Sequence, residues 1–359
     1  MPSPDIRTGM PSTELSRETF EQRFKSRLAD PAFAPLTKEI QAIADAAWDA
    51  YSDSRKSPHT RKAGPGFADP DYALSVDWLA ARDAILEAQR RHADPAEPSR
   101  ILLVNGSSRS EHTCPGEMSK TWRLVEIAQR TIEERGSFAV DILNLSRTTA
   151  EFGKTIHPCK SCVSTAMPLC HWPCSCYPNY ALGQAGDWMN EIYPLFVAAH
   201  GIMIVTPVNW YQAPGPLKAM MDRLVCADGG NPDPTTTHGK NAEQAKALEL
   251  TGWAFPRHLA GRLFAAVVHA DAAGAENLRR ILIDWASDMH LIPAGAKAAL
   301  DRFVGYYEPY ATSHDALDRD QAFQEEVRDA ALTLMDAVTA KRAGKLVEAG
   351  ADLKEPRPK

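Results

Sequence analysis

The sequence predicts a doubly wound α/β fold, a mostly parallel sheet with helices on both faces. Three observations carry this. Short apolar runs such as Ile101-Leu102-Leu103-Val104 recur along the chain, and strands buried on both faces of a parallel sheet read this way. Stretches of helical period lie between them. The two kinds alternate, as βαβ units do.

The elements follow in order. Residues 1 to about 13 read as a tail rich in Pro, Ser and Thr. From Glu14 to about Tyr51, Phe20, Phe24, Leu28 and then Ile40, Ile43 and Ala47 recur at helical spacing, with Asp30-Pro31 as a break between two helices. Ser52 to Asp71 is polar and reads as a loop, and Leu74 to Arg91 as a further helix before Pro95 and Pro98. The alternation then begins. Ile101–Val104 is the first strand, followed by a helix from Met118 to Arg135 that ends at a capping Gly136. Phe138–Leu143 is the second strand. A cysteine-rich segment interrupts, and a helix from Asp187 to Ala199 leads to the third strand, Gly201–Val205. A helix over Pro216–Val225, a fourth strand over Leu263–Val268 and a helix over Ala275–His290 complete the pattern. The best candidate for a fifth strand is Arg302–Tyr306, and one helix, His314–Lys341, precedes a charged tail. The expected organisation is a helical N-terminal extension over 1–97, an α/β domain over 98–312, and a C-terminal helix and tail over 313–359. The N-terminal helices read as a cap or an oligomer arm.

Composition narrows the function classes. The chain is 44% hydrophobic and 24% charged with a formal net charge of −6, so no broad basic field awaits nucleic acid or anionic lipid. No apolar run reaches the roughly 18 to 20 residues that span a bilayer. The first residues lack the apolar centre of a secretory signal. A cytoplasmic, bacterial-type enzyme without nucleic-acid or membrane partners is the expectation.

The first strand runs into Asn105-Gly106-Ser107-Ser108-Arg109-Ser110. In open α/β sheets, ligands sit beyond the carboxyl ends of the strands. A Gly/Ser loop there presents backbone N–H groups and hydroxyls, and the helix that follows aims its positive end at the same place. Arg109 adds a charged donor. The loop is therefore read as a phosphate site. Neither G-x-G-x-x-G nor G-x-x-x-x-G-K-[ST] is present in it. After the third strand, Thr206-Pro207-Val208-Asn209-Trp210-Tyr211 passes from apolar to polar and aromatic residues. Backbone amides there can bond the polar edge of a planar ring, while Trp210 or Tyr211 lies against its face.

Taken together, these loops resemble those of the NADPH-dependent FMN reductase family, within the flavodoxin-like superfamily. The G-S-x-R…S-x-T-x-x-L pattern is met at Gly106, Ser107, Arg109, Ser119, Thr121 and Leu124, with Lys120 in place of the usual Asn and an insertion at about Glu111–Glu117. The T-P-x-Y…L-K-x-x-x-D-R pattern is met at Thr206, Pro207, Leu217, Lys218, Asp222 and Arg223, with Asn209 where Tyr is usual. The resemblance covers roughly residues 100 to 270. It implies a flavodoxin-like sheet of order 2-1-3-4-5. It implies that FMN is held by Ser107, Arg109, Ser119, Lys120 and Thr121 at its phosphate, and by Pro207, Val208, Asn209, Trp210 and Tyr211 at its ring. The loop His269-Ala270-Asp271-Ala272-Ala273-Gly274 would close over the flavin or admit the nicotinamide, with Asp271 among the contacts. His269 reads either as a proton donor or as a satisfied polar residue at a strand end. Asp222 and Arg223 are read as holding the helix end and loop in place.

Five of the seven cysteines, Cys159, Cys162, Cys170, Cys174 and Cys176, fall in one segment. Thiolates two residues apart can bind one metal. Iron–sulfur flavoproteins carry a compact cysteine motif in the same place, with a third Cys where this chain has Thr165. Three readings stand open: a [4Fe–4S] cluster on four of the five, a zinc that adds His157 or His171, and reduced cysteines shaping a loop beside the flavin.

The activity implied is that of an NAD(P)H-dependent FMN oxidoreductase, taking electrons from a nicotinamide co-substrate to a small acceptor such as a quinone, flavin, nitro compound or metal ion. No protein nucleophile is needed, because the flavin carries the chemistry. The alternative is a flavodoxin-like or iron–sulfur-flavin electron carrier that oxidises no NAD(P)H itself. Resemblance also implies a homodimer or homotetramer.

Overall fold

A computed structural model describes residues 5–112, 116–306 and 308–347. The first residues of the expected tail, part of the insertion after Arg109 and the charged tail beyond 347 lie outside the described residues. Along the chain the elements begin with helices α1 (Arg17–Ser26) and α2 (Thr37–Ser52), strands β1 (Thr60–Lys62) and β2 (Ala73–Ser75), and helix α3 (Val76–Ala93). Strand β3 (Ser99–Asn105), helix α4 (Lys120–Arg135) and strand β4 (Phe138–Asn144) follow. After the cysteine segment come α5 (Met189–Ala198), β5 (Gly201–Pro207), α6 (Gly215–Leu224) and the short α7 (Cys226–Gly229). Then come α8 (Ala242–Thr251), β6 (Leu263–Ala270), α9 (Ala275–Asp288), β7 (Ile292–Pro293) and β8 (Ala299–Phe303). Helices α10 (Ser313–Arg319) and α11 (Gln321–Arg342) close the chain.

These elements form two compact units. The larger comprises Asp83–Cys159, Trp188–Gly229 and Pro256–Lys359. Its sheet runs β4-β3-β5-β6, and both β7 and β8 pair with β6. Every pairing in it is parallel. The fold is thus α/β and flavodoxin-like, and the fifth position of the expected order is shared by two short strands. Ile101, Leu103, Met203, Val205, Leu263, Ala265 and Val267 are all buried against α4 and α11. The residues alternating with them, such as Leu102, Val104, Ile202, Ile204 and Ala266, are fully buried as well, because successive side chains point to opposite faces. On that second side α5 lies against β3 and β4, and α9 against β6 and β8.

Two expectations for this unit are corrected. The fifth-strand candidate Arg302–Tyr306 is displaced: β8 begins at Ala299, where Leu300 is buried, and ends at the half-exposed Phe303. Its register against Ala266–Ala270 fixes that shift. The single helix His314–Lys341 is two helices. Asp320 ends α10 in a non-helical conformation (φ −83°, ψ 72°) and caps α11, its carboxylate accepting from the Phe323 N–H at 2.9 Å.

The second unit gathers three separated stretches, Met1–Arg82, Lys160–Asp187 and Gly230–Phe255. Phe20 of α1 packs on Trp48 and Tyr51 of α2, with ring centroids 5.5 and 4.9 Å apart. The stretch Ser52–Asp71, expected as a loop, contains β1, which pairs antiparallel with β2 (Thr60 opposite Ser75). All three residues of β1 are exposed, so no apolar alternation announced it. Leu74, Trp78 and Leu79 form a small core below this hairpin. Helix α8 buries Ala245 against Ala166 and Leu169 of the cysteine segment.

Candidate functional site

The carboxyl ends of β3, β5 and β6 carry the three loops singled out in the sequence. Gly106 is required by close approach: a Cβ there would stand 2.7 Å from Thr206 Oγ1 and 2.8 Å from Thr206 Cβ, so only glycine lets this loop press against the end of β5. Asn105 and Asn144, register partners on β3 and β4, join side chain to side chain at 2.8 Å. Asn105 Oδ1 also accepts from the Ser107 N–H at 3.2 Å, and the Ser107 hydroxyl accepts from the Arg109 N–H at 3.1 Å. The loop is therefore wound by its own short polar side chains.

Ser119 caps α4, its hydroxyl accepting from the Trp122 N–H at 3.1 Å. Beside this helix start lies a polar cavity of about 150 Å³ lined by Asn105, Arg109, Ser119, Asn144 and Ser146 among others. It combines a helix N-terminus, a guanidinium and hydroxyls, donors suited to an oxyanion, with the Glu111 carboxylate also in its wall. Arg109 donates through Nε to the Glu117 carbonyl at 3.1 Å and through Nη2 to the Met118 carbonyl at 3.2 Å, and it pairs with the Glu117 carboxylate. The insertion after Arg109 thus supplies a counter-charge of its own. Lys120 is nearly buried and pairs with Asp271 at 2.5 Å, tying the start of α4 to the loop after β6. Thr121 is buried and shares a 2.8 Å hydrogen bond with His269 Nε2. Burial, with the Lys120 ammonium beside it, holds the His269 imidazole down to about 3. His269 and Thr121 thus tie the end of β6 to the start of α4.

The loop after β5 makes a tight turn. Asn209 and Gln212 exchange backbone hydrogen bonds of 2.9 and 3.0 Å, and the two residues between them, Trp210 and Tyr211, both have positive φ (48° and 68°). Two successive positive φ values are the signature of a type I′ turn, usually filled by Asn and Gly. Aromatic residues held there are strained, and such strain concentrates at functional sites. Trp210 is 94% exposed and Tyr211 64%. Gly274 (φ 90°) packs under this turn, where a Cβ would lie 3.1 Å from Tyr211 Cα. Thus Val208–Tyr211 and the loop after β6 form one assembly. Arg223 is buried, and its guanidinium donates to the His157 carbonyl at 2.9 Å. Lys218 pairs with Asp222 one turn on. Both fit the holding role read from the sequence.

The cysteine segment is different. Cys162 and Cys176 bring their sulfurs to 3.6 Å, and the hydrogen bond between them lowers the Cys162 thiol to about 6. His171 is tied to Ser175 at 2.5 Å and to Thr237 at 3.0 Å. Among the described residues no three His, Cys, Asp or Glu side chains are grouped to hold a metal. The cysteines expected to bind a [4Fe–4S] cluster or a zinc, Cys159, Cys162, Cys170, Cys174 and Cys176, include the Cys162–Cys176 contact and, among the described residues, no group of three donors. The donors are spread over short 3-10 turns, and both nitrogens of His171 are already engaged with hydroxyls.

With this geometry in place, the relationship to known proteins can be stated. The sequence profile of NADPH-dependent FMN reductases matches residues 99–305. The chain belongs to that family. It is an NAD(P)H-dependent flavin oxidoreductase whose family cofactor is FMN. No curated protein matches the chain. Among solved structures it is similar to RosB with bound 8-demethyl-8-formylriboflavin-5'-phosphate, at 12% identity and a TM-score of 0.48, over 69% of this chain and 82% of that one. It is also similar to an FMN-dependent NADH-azoreductase from Bacillus anthracis (15% identity, TM-score 0.37, 66% and 99% covered). A third is an NAD(P)H:quinone oxidoreductase from Methanothermobacter marburgensis (15% identity, TM-score 0.34, 70% and 96% covered).

Sequence reasoning missed several members of the site. Asn144 and Ser146 line the polar cavity, and Glu117 occupies Arg109. The pairing of two strand-terminal asparagines was the available signal, once β3 and β4 are taken as neighbours. Nothing in the sequence marked Glu117 as the acid that Arg109 would meet.

Proposed function

We propose that the FMN phosphate lies at the start of α4 among Ser107, Arg109, Ser119, Lys120 and Thr121, and that the ring lies against the Pro207–Tyr211 turn with Asp271 nearby. In this reading NAD(P)H reduces the flavin, and the electrons pass to a small acceptor such as a quinone, flavin, nitro compound or metal ion. The observation that carries it is the convergence, beyond one sheet edge, of an oxyanion cavity and a strained, exposed aromatic turn. When bound, FMN supplies the hydride-accepting and electron-passing chemistry. The chain's own work is binding and orientation. Arg109 and the first N–H groups of α4 would neutralise the phosphate. Backbone groups of 207–209 would bond the polar ring edge, and Trp210 or Tyr211 would cover one face. Lys120 would hold Asp271 and its loop in place, with neutral His269 fixing Thr121. The same reading places the functional region within 98–312, takes the protein as cytoplasmic, and assigns the 1–97 extension to the interface of a homodimer or homotetramer. Among the described residues no helix is long and apolar enough to cross a membrane.

The test is anaerobic mixing of the FMN-loaded protein with NADPH and with NADH, followed by addition of a quinone, a nitroaromatic or ferric citrate. Prompt loss of the flavin's visible absorption with nicotinamide alone, and its return on adding an acceptor, is the expected result. Reduction only in the presence of a separate reductase would identify a carrier and overturn the proposal.

A further inference from the structure

The compact unit made of Met1–Arg82, Lys160–Asp187 and Gly230–Phe255 contains a cavity of about 420 Å³. Its walls include the aromatic rings of Tyr72, Trp78 and Tyr177 and the side chains of Lys56 and Lys240, with no Asp or Glu among them. That is a notable composition in a chain of net charge −6. The volume falls in the range of small-molecule sites, which are typically apolar and aromatic with a few placed polar groups.

The two lysines differ. Lys240 donates to the Leu169 carbonyl and stands 3.6 Å from the Cys162 sulfur. Lys56 has no side-chain hydrogen bond or ion pair among the described residues. The groups that face its ammonium are the thiols of Cys176 and Cys174 and the ammoniums of Lys240 and Lys160. Desolvation lowers its pKa first of all, as it does for an ammonium drawn from water without a carboxylate beside it. The frame around it is built rather than loose. The Trp78 indole N–H donates to the Pro173 carbonyl at 2.7 Å, and Ser57 and Ser75 share a hydrogen bond of 2.9 Å. Gly239 (φ 77°) brings the backbone against the Tyr72 hydroxyl, which a Cβ would meet at 2.9 Å.

We propose that this cavity is a binding site for an aromatic carboxylate, its ring among Tyr72, Trp78 and Tyr177 and its carboxylate on Lys56, with Lys240 adding to the field. The ring faces supply stacking surface, and the Lys56 ammonium, with no carboxylate in the cavity wall, supplies the point charge that a carboxylate matches. The inference is independent of the flavin reading, because none of these residues belongs to the flavin loops.

The test uses the full-length, FMN-loaded protein with salicylate as probe and salicyl alcohol as its neutral counterpart, followed by calorimetry. Saturable one-to-one binding of salicylate, weakened about tenfold or more in the alcohol and in Lys56→Met, is expected from the loss of a charged hydrogen bond. Lys56→Arg should retain most of the affinity. On the unaltered protein, salicylate should slow acetic anhydride labelling of Lys56 while leaving the exposed Lys38 unaffected, which removes dependence on any variant's folding. Equal affinity for acid and alcohol, no protection of Lys56, or displacement of salicylate by excess free FMN would overturn the proposal. Displacement by an equal concentration of inorganic phosphate would overturn the aromatic assignment. Flavin reduction by NADPH, measured separately on the same sample, reports on the other site alone.

Discussion

At the residue scale, two contacts govern the loops proposed to hold the flavin. The first is the approach of Gly106 to Thr206, which leaves no room for a methyl group because Thr206 is fully buried. Gly106→Ala should destabilise the fold by about 1–3 kcal/mol, as overpacking does, read as a lower denaturant midpoint with reduced FMN content. The second is the pairing of the Glu117 carboxylate with Arg109, the residue proposed to hold the phosphate. The pair is largely exposed, so its worth is about 1 kcal/mol or less. Glu117→Gln should therefore tighten FMN binding by up to about fivefold, and a weakened affinity in a fluorescence titration would contradict that role. The loop after β3 was legible in the sequence as a turn because Gly and Ser follow a buried strand and precede a helix. Glu117 was not, since the insertion that places it has no periodicity.

At the scale of elements, β3, β5 and β6 were legible because burial on both faces leaves an uninterrupted apolar run, and the half-buried β4 because it follows the capping Gly136. The short edge strands were not. β1 is fully exposed, and β8 owes its position to its register with β6 rather than to its own sequence. The split between α10 and α11 was hidden for a different reason: neither Gly nor Pro falls between Ser313 and Arg342, and only the cap marks the break. That cap is an N-cap hydrogen bond to Phe323. Asp320→Ala should cost about 1 kcal/mol of stability, measured by thermal or urea unfolding. Asp320→Ser should recover most of it, and an unchanged midpoint in the alanine variant would show that the cap is dispensable.

At the scale of the whole molecule, the sheet-bearing unit hides several imidazoles in their neutral form. Burial lowers His92 and His269 to about 3, and His200 and His258 to about 4. An unfolded histidine titrates near 6.5. As pH falls through that value the unfolded chain takes up protons that the fold refuses, so this contribution is full above about pH 6.5 and is lost progressively toward pH 4. The urea midpoint should fall between about pH 7.5 and about pH 5, and a midpoint that rises would contradict the neutral burial of these rings. The assembly of the second unit from three distant stretches was not legible, because its contacts join segments with little local pattern. The central claim concerns the edge of the sheet where three loops meet, and it is tested most directly by titrating FMN into the flavin-free protein and into Arg109→Ala. Saturable binding to the unaltered chain, weakened by ~1.5–3 kcal/mol in the variant as for a lost charged hydrogen bond, is the predicted result. Equal FMN affinity in the two proteins would place the phosphate elsewhere and contradict the account.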